Sequence, residues 1–120
     1  MVFLWLSLVT PALAGPTLLV VGDSLSAGYG LDRGLSWVDL LAASPEELLG
    51  ADVQVLNASI SGETTTGGLS RLPGLLDRHH PSSVLIALGA NDGLRGLPLD
   101  TMQENLKAMF VRFRLCGAHG

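Results

Sequence analysis

Ser24 lies in a short run of small and polar residues that could support nucleophilic chemistry. The run at 22–28 reads Gly-Asp-Ser-Leu-Ser-Ala-Gly, so backbone N–H groups can surround a small side chain there. A plain turn serine and a phosphate-binding loop are the alternatives, although the run lacks the Gly-Lys-Ser/Thr ending of a P-loop. It is not a Gly-x-Ser-x-Gly elbow either, because Ser26 occupies the last glycine position. Ser24 is therefore a candidate nucleophile.

Two further polar stretches contain groups that could stabilise a negative charge. The stretch 57–65 contains Gly62, where the backbone can approach a reacting carbonyl because no side chain intervenes. A helix cap formed by Ser61 or Thr64 is the alternative there. The stretch 89–93, Gly-Ala-Asn-Asp-Gly, contains Asn91, whose side-chain amide can donate to a developing oxyanion. Taken alone, that stretch would indicate a turn.

Three apolar runs lead into these polar stretches. They span residues 17–21, 53–57 and 83–88, and Gly, Asn or Ser bounds each of them. Continuous apolar runs of this length, with β-branched members, are typical of strands that are buried on both faces.

Segments with helical spacing of apolar residues alternate with the three strands. This order predicts right-handed βαβ crossovers and a parallel sheet covered by helices on both faces. Ligands gather at the carboxyl ends of such strands, which is where all three polar stretches lie. The apolar residues predicted to share a helical face are Trp37, Leu40 and Leu41; then Leu69, Leu72, Leu75 and Leu76, despite Pro73; and last Leu106, Met109 and Phe110, in a helix capped by Asp100.

Length, charge and cysteine content exclude several classes of protein. The 120 residues are enough for one domain. A net charge of -4 with only seven Lys and Arg residues leaves no basic surface for a nucleic acid. The single cysteine, Cys116, excludes an internal disulfide and a cysteine-based metal cluster. We expect no cofactor and no metal site.

The first 14 residues have the pattern of a signal peptide. An apolar run at 2–9 leads to Ala12-Leu13-Ala14, a small-x-small cleavage pattern. The run is too short for a membrane-spanning helix, which needs about 20 apolar residues, so a stable membrane anchor is not expected. No Lys or Arg precedes the run. We expect a signal peptide at 1–14, a mature domain at 15–120, and a periplasmic or secreted protein.

Together, the three polar stretches resemble the SGNH (GDSL) hydrolase family. Gly-Asp-Ser-Leu-Ser-Ala-Gly-Tyr, Asn-Ala-Ser-Ile-Ser-Gly-Glu-Thr and Gly-Ala-Asn-Asp-Gly-Leu-Arg-Gly are similar to the bacterial acyl-CoA thioesterase I, lysophospholipase L1 and arylesterase group. The resemblance covers about residues 18–106 and implies a three-layer α/β/α, flavodoxin-like parallel sheet. It also implies that Ser24 is the nucleophile, that the N–H groups of Ser24 and Gly62 bind the oxyanion, and that Asn91 donates to it from its side chain.

The family's Asp-x-x-His motif, whose His takes the serine proton, is expected beyond two further strands. The chain ends before that point, so residues 15–120 are expected to be the N-terminal part of the domain. His119 follows Cys116, which stands where the motif's Asp would be, so we interpret this tail as a chance likeness. His79 and His80 precede the third strand, about 17 to 20 Å from the nucleophile end, and are expected to cap a helix.

Three hypotheses for function remain open from the sequence. The first is an esterase, thioesterase or lysophospholipase that cleaves a small-molecule acyl ester or thioester through an acyl-enzyme. The second is a truncated, catalytically inactive fragment of such an enzyme. The third is a carbohydrate O-acetyl esterase or acetyl-binding module. The residues at 60–64 and 94–96 resemble the lipid and thioester group more than this third class. The sequence does not predict the oligomeric state.

The signal-peptide prediction can be tested on the exported protein. We expect cleavage after Ala14, so that mass spectrometry of the exported protein finds Gly15 at its N-terminus. An exported protein that still carries Met1 would contradict this prediction.

Overall fold

The computed structural model describes residues 15–117 of the 120-residue chain. The predicted signal peptide at 1–14 and His119 lie outside the described residues. The three predicted strands are present, and their bounds agree with the predicted ones to within one residue: β1 (Thr17–Gly22), β2 (Gln54–Asn57) and β3 (Ser83–Ala87).

The strands form one parallel sheet in the order β2-β1-β3. β1 pairs with β2 from Thr17↔Gln54 onward and with β3 from Leu18↔Ser83 onward. Both edges of β1 are therefore used in hydrogen bonding, and β1 is the central strand of the sheet.

Helices connect the strands and cover both faces of the sheet. A long pair, α4 (Thr65–His79) and α6 (Leu99–Gly117), covers one face, and a shorter helix, α2 (Trp37–Ala43), contacts the other. The helices of the described part of the chain are α1 (Ser24–Ala27), α2 (Trp37–Ala43), α3 (Pro45–Leu49), α4 (Thr65–His79), α5 (Ala90–Leu94) and α6 (Leu99–Gly117).

Alternate side chains of β1 build the two halves of the core. Leu19 and Val21 pack against Leu72 and Leu76 of α4 and Met109 of α6. On the opposite face, Leu18 and Val20 pack against Val38 of α2. Because successive side chains of a strand point to opposite faces, one apolar strand holds together three layers. The predicted three-layer α/β/α fold is confirmed.

Helix α4 begins and ends where its capping residues allow. The Thr64 hydroxyl accepts from the N–H of Gly67 at 3.3 Å, and His80 adopts a left-handed conformation with φ of 44° while its N–H donates to the Leu76 carbonyl. Leu72 and Leu76 are buried as predicted, and the helix accommodates Pro73. The prediction that the histidine pair caps this helix is confirmed for His80.

The predicted faces of two helices need correction. In α2, Trp37 and Leu40 are exposed and Val38 is buried instead, because the helix contacts the sheet through Val38 and Leu41. In α6, Phe110 is 57% exposed, and Phe113 packs against the core in its place. Asp100 is not the N-cap, since α6 begins one residue earlier, at Leu99.

Candidate active site

Ser24 lies directly after the central strand, at the start of a single helical turn. β1 ends at Gly22, and the buried Asp23 caps α1 by accepting the N–H of Leu25 at 3.0 Å. Ser24 is the first residue of α1 and is half-buried. The first N–H groups of a helix have no partner inside the helix. The N–H of Ser24 can therefore donate to a ligand.

The second serine of this turn has a structural role. Ser26 is 1% exposed, and its hydroxyl accepts from the indole N–H of Trp37 at 3.1 Å. Its backbone carbonyl accepts from Nδ2 of Asn57 at 2.8 Å. Ser26 thus ties the turn to α2 and to the end of β2, which leaves Ser24 as the nucleophile candidate of the pair.

Gly22 must be a glycine because Ser26 lies against it. A Cβ at residue 22 would lie 2.5 Å from Oγ and 2.7 Å from Cβ of Ser26. Those separations are shorter than any normal contact, so a side chain at residue 22 would displace α1.

The segment after β2 folds back onto the nucleophile turn. The N–H of Ile60 donates to the Gly22 carbonyl at 3.0 Å. Gly62 has φ of 81°, a left-handed conformation that favours glycine. Thr64 is the N-cap of α4, as one of the two interpretations of this stretch predicted. Gly62 therefore lies before the helix begins. Arg71 fixes the segment by donating to the Ala58 carbonyl at 2.9 Å and pairing with Glu63 at 3.2 Å.

The segment after β3 is bound to the segment after β2 through side chains. Nδ2 of Asn91 donates to the Glu63 carbonyl at 3.0 Å, and Nη2 of Arg95 donates to the Gly62 carbonyl at 3.0 Å. A carbonyl only accepts, so the amide nitrogen of Asn91 must face it. Within residues 15–117 the other N–H of that amide has no acceptor, so it can donate to a ligand.

A cleft joins the nucleophile turn to the segment after β3. It has a volume of about 320 Å³ and a mainly apolar lining. Its lining consists of Asp23 and Leu25 from the nucleophile turn, Trp37 from α2, and Ala87, Leu88 and Ala90 from the end of β3 onward. Ser24, Gly62 and Asn91 do not themselves line this cleft. They lie on three segments that follow the carboxyl ends of the strands and that hydrogen bonds connect.

The two described histidines lie at the amino-terminal end of the strands, opposite the end that carries Ser24. His79 ends α4 and His80 caps it, and the N–H of Ser82 then donates to the carbonyl of Thr17, the first residue of β1. The length of β1, about 3.3 Å per residue over six residues, separates that end from Ser24. Neither histidine can reach the Ser24 hydroxyl.

Sequence reasoning missed one buried acid beside the site. Asp92 is 2% exposed and accepts from the backbone N–H of Thr65 at 2.9 Å and from its hydroxyl at 2.6 Å. Its position next to Asn91 was the available signal, but an Asn-Asp-Gly sequence equally indicates a turn.

Residues 15–117 lack two other kinds of feature. No group of three or more His, Cys, Asp and Glu side chains in this range is placed to hold a metal ion. No helix in this range has the length and apolar character needed to cross a membrane.

The comparison with protein families agrees with this arrangement. The model of the GDSL-like lipase/acylhydrolase family matches residues 20–119. The chain belongs to this family. The match includes all three segments that form the candidate site, so the family resemblance of the sequence is confirmed.

Individual GDSL relatives are similar over about half their own length. The arylesterase of Vibrio mimicus is 54% identical over 108 residues, which is 88% of this chain and 52% of the arylesterase. Thioesterase 1/protease 1/lysophospholipase L1 of Escherichia coli K12 is 46% identical over 117 residues, which is 97% of this chain and 54% of that protein. The crystal structure of TesA matches with a TM-score of 0.79 at 51% identity, covering 84% of this chain and 56% of that chain.

The close approach at Gly22 generates a testable prediction. We expect Gly22→Ala to lower the free energy of unfolding by about 1 to 3 kcal/mol, because the added Cβ collides with Ser26. The matched control is Gly74→Ala in α4, where an added Cβ meets no atom within 4 Å. That change should raise the free energy by about 0.5 to 1 kcal/mol through helix propensity. Urea unfolding measures both, and equal effects of the two substitutions would contradict the prediction.

Proposed function

We propose that this chain carries the nucleophile and oxyanion-binding part of a serine ester hydrolase that cleaves acyl esters or thioesters. The observation that carries the proposal is the convergence of three segments at one sheet edge. The N–H of Ile60 bonds to Gly22, and the side chain of Asn91 bonds to Glu63. These two bonds connect the segments that contain Ser24, Gly62 and Asn91.

In the proposed mechanism, the hydroxyl oxygen of Ser24 attacks the carbonyl carbon of the substrate. The carbonyl oxygen becomes an oxyanion, which accepts hydrogen bonds from the N–H groups of Ser24 and Gly62 and from the free N–H of Asn91. Collapse of the tetrahedral intermediate breaks the bond to the leaving group, which takes up the proton removed from Ser24 and departs as the alcohol or thiol. Water then hydrolyses the acyl-enzyme that remains. Each oxyanion donor accelerates such reactions by about 10²- to 10³-fold.

The proton of Ser24 requires a base, and we propose a histidine outside residues 15–117. His79 and His80 lie at the far edge of the sheet. The family resemblance implies an Asp-x-x-His motif for this role, with the Asp orienting the imidazole. We therefore propose that residues 15–117 bind the reacting group but do not hydrolyse esters without that histidine.

We propose an apolar acyl or aryl ester, or a thioester, as the substrate. The names of the relatives mention aryl esters, thioesters and lysophospholipids. Leu25, Trp37 and Leu88 give the cleft beside Ser24 a mainly apolar lining, which fits an apolar group better than a sugar. We also propose export to the periplasm or beyond, with residues 1–14 as the signal peptide.

The nucleophile can be tested in a protein that contains the whole enzyme. We define the fused protein as this chain up to the end of its match to the Vibrio mimicus arylesterase, followed by the part of the arylesterase that comes after the match. We expect Ser24→Ala to lower kcat on p-nitrophenyl butyrate by about 10⁴-fold or more, because it removes the attacking oxygen.

The matched control for the nucleophile is Ser70→Ala, which removes an exposed hydroxyl from α4. Its kcat should equal that of the parent. A parent rate retained by folded Ser24→Ala protein would refute the assignment of the nucleophile.

The oxyanion donor is tested separately in the fused protein. We expect Asn91→Ala to lower kcat by about 10²- to 10³-fold with a small change in KM, because the lost bond forms mainly in the transition state. Gln103→Ala, which removes an exposed amide from α6, is the control. A changed KM with an unchanged kcat would make Asn91 a turn residue only.

A further inference from the structure

A buried carboxylate lies directly beside the proposed oxyanion donor. Asp92 is 2% exposed, and its two oxygens accept separate hydrogen bonds from one residue. Oδ1 accepts from the N–H of Thr65 at 2.9 Å, and Oδ2 accepts from the Thr65 hydroxyl at 2.6 Å. Thr65 is itself fully buried. A carboxylate is costly to bury unless such bonds compensate it.

Two neighbouring helices contribute to the surroundings of Asp92. Thr65 is the first residue of α4, a helix of 15 residues, and the positive end of the helix dipole lies at its N-terminus. Nδ2 of Asn105 in α6 donates to the Thr65 hydroxyl at 3.1 Å and to that of Thr66 at 3.0 Å. The hydrogen-bond network of Asp92, Thr65 and Asn105 therefore joins α4, α5 and α6.

This network and the Asn91 bond hold the same short segment. Asn91 donates to the carbonyl of Glu63, and Asp92 accepts from Thr65, two residues later. Gly62, the other proposed donor after β2, directly precedes Glu63. The separation between Gly62 and the Asn91 amide therefore depends on two adjacent residues that bind both ends of the segment 63–65.

We propose that Asp92 is a positioning residue that holds Asn91 and Gly62 at the separation an oxyanion requires. This proposal rests on the proposed function. Asp92 is buried and bound to Thr65, so it acts through the positions of Asn91 and Gly62 and does not contact the substrate. A displacement of about 1 Å at a reacting group can lower a rate by about 10²-fold, so loss of this bond should lower kcat more than it changes KM.

The first test uses the full 120-residue chain and needs no activity. Thr65→Val removes the hydroxyl that Asp92 accepts from, and Thr65→Ser keeps it. We expect the NMR order parameter of the Asn91 side-chain amide to fall toward about 0.6 in Thr65→Val and to stay at the parent value in Thr65→Ser. Asp77→Asn, an exposed acid in α4, is the control for loss of charge. Equal order parameters in both Thr65 variants would overturn the proposal.

The second test measures kcat and KM in the fused protein. We expect Asp92→Asn and Thr65→Val each to lower kcat by about 10- to 100-fold and to change KM by less than about 3-fold. Thr65→Ser should keep the parent kcat. If Asp92→Asn does not fold, the Thr65 pair still decides the outcome.

A double-mutant cycle separates positioning from loss of stability. Because part of the effect of Asp92 acts through Asn91, Asp92→Asn should lower kcat by a smaller factor in an Asn91→Ala background than in the parent. The proposal would be overturned if Asp92→Asn lowered kcat by the same factor in the parent and in Asn91→Ala. An unchanged kcat in folded Asp92→Asn protein would overturn it as well. If Ser24→Ala and Asn91→Ala both keep the parent rate, the proposed function fails instead, and the order parameters still decide whether Asp92 orders Asn91.

Discussion

Strand β1 is the constraint on which the other elements depend. It pairs with a strand on each edge and packs alternate side chains into the core on each face. A strand enclosed on four sides cannot shift without breaking two ladders and two apolar clusters, so its carboxyl end has a fixed position. Asp23 and Ser24 follow at that end within two residues. The nucleophile candidate therefore takes its position from the most buried part of the molecule.

The loops at this edge must satisfy their own backbone groups, and they do so by bonding to one another. A partly buried carbonyl without a donor costs about 1 to 3 kcal/mol. The carbonyl of Gly22 accepts from Ile60 on the segment after β2, and the carbonyl of Glu63 accepts from Asn91 on the segment after β3. The more exposed carbonyl of Gly62 accepts from Arg95, also on the segment after β3. The same bonds that avoid this cost also connect the three segments. The order of the site is thus a consequence of hydrogen-bond satisfaction as well as of packing.

The strands, and the position of three polar segments at their carboxyl ends, could be predicted from the sequence, because buried strands are continuous apolar runs and polar residues mark their ends. The roles of Ser24, Gly62 and Asn91 stay predictions. The faces of α2 and α6 could not be predicted, since Trp37 and Phe110 are apolar yet exposed. Both sides of such helices carry apolar residues, so periodicity alone does not choose between them.

The hydrogen-bond network of Asp92, Thr65 and Asn105 could not be predicted from the sequence either. Its members are up to 40 residues apart in the chain, and only the packing of α4, α5 and α6 brings them together.

The Asn91 amide joins this structural order to the proposed chemistry. An amide group is planar, so its two N–H bonds have fixed directions relative to each other. Once one N–H donates to the Glu63 carbonyl, the direction of the other is determined by the position of the backbone at residue 63. A donor fixed in this way does not need to reorient when negative charge develops, and the absence of that reorientation is what makes oxyanion stabilisation effective. The conformational entropy of the Asn91 side chain is lost during folding and not when the substrate binds. Hydrogen bonds at Glu63 and Thr65, which do not involve the substrate, compensate this loss.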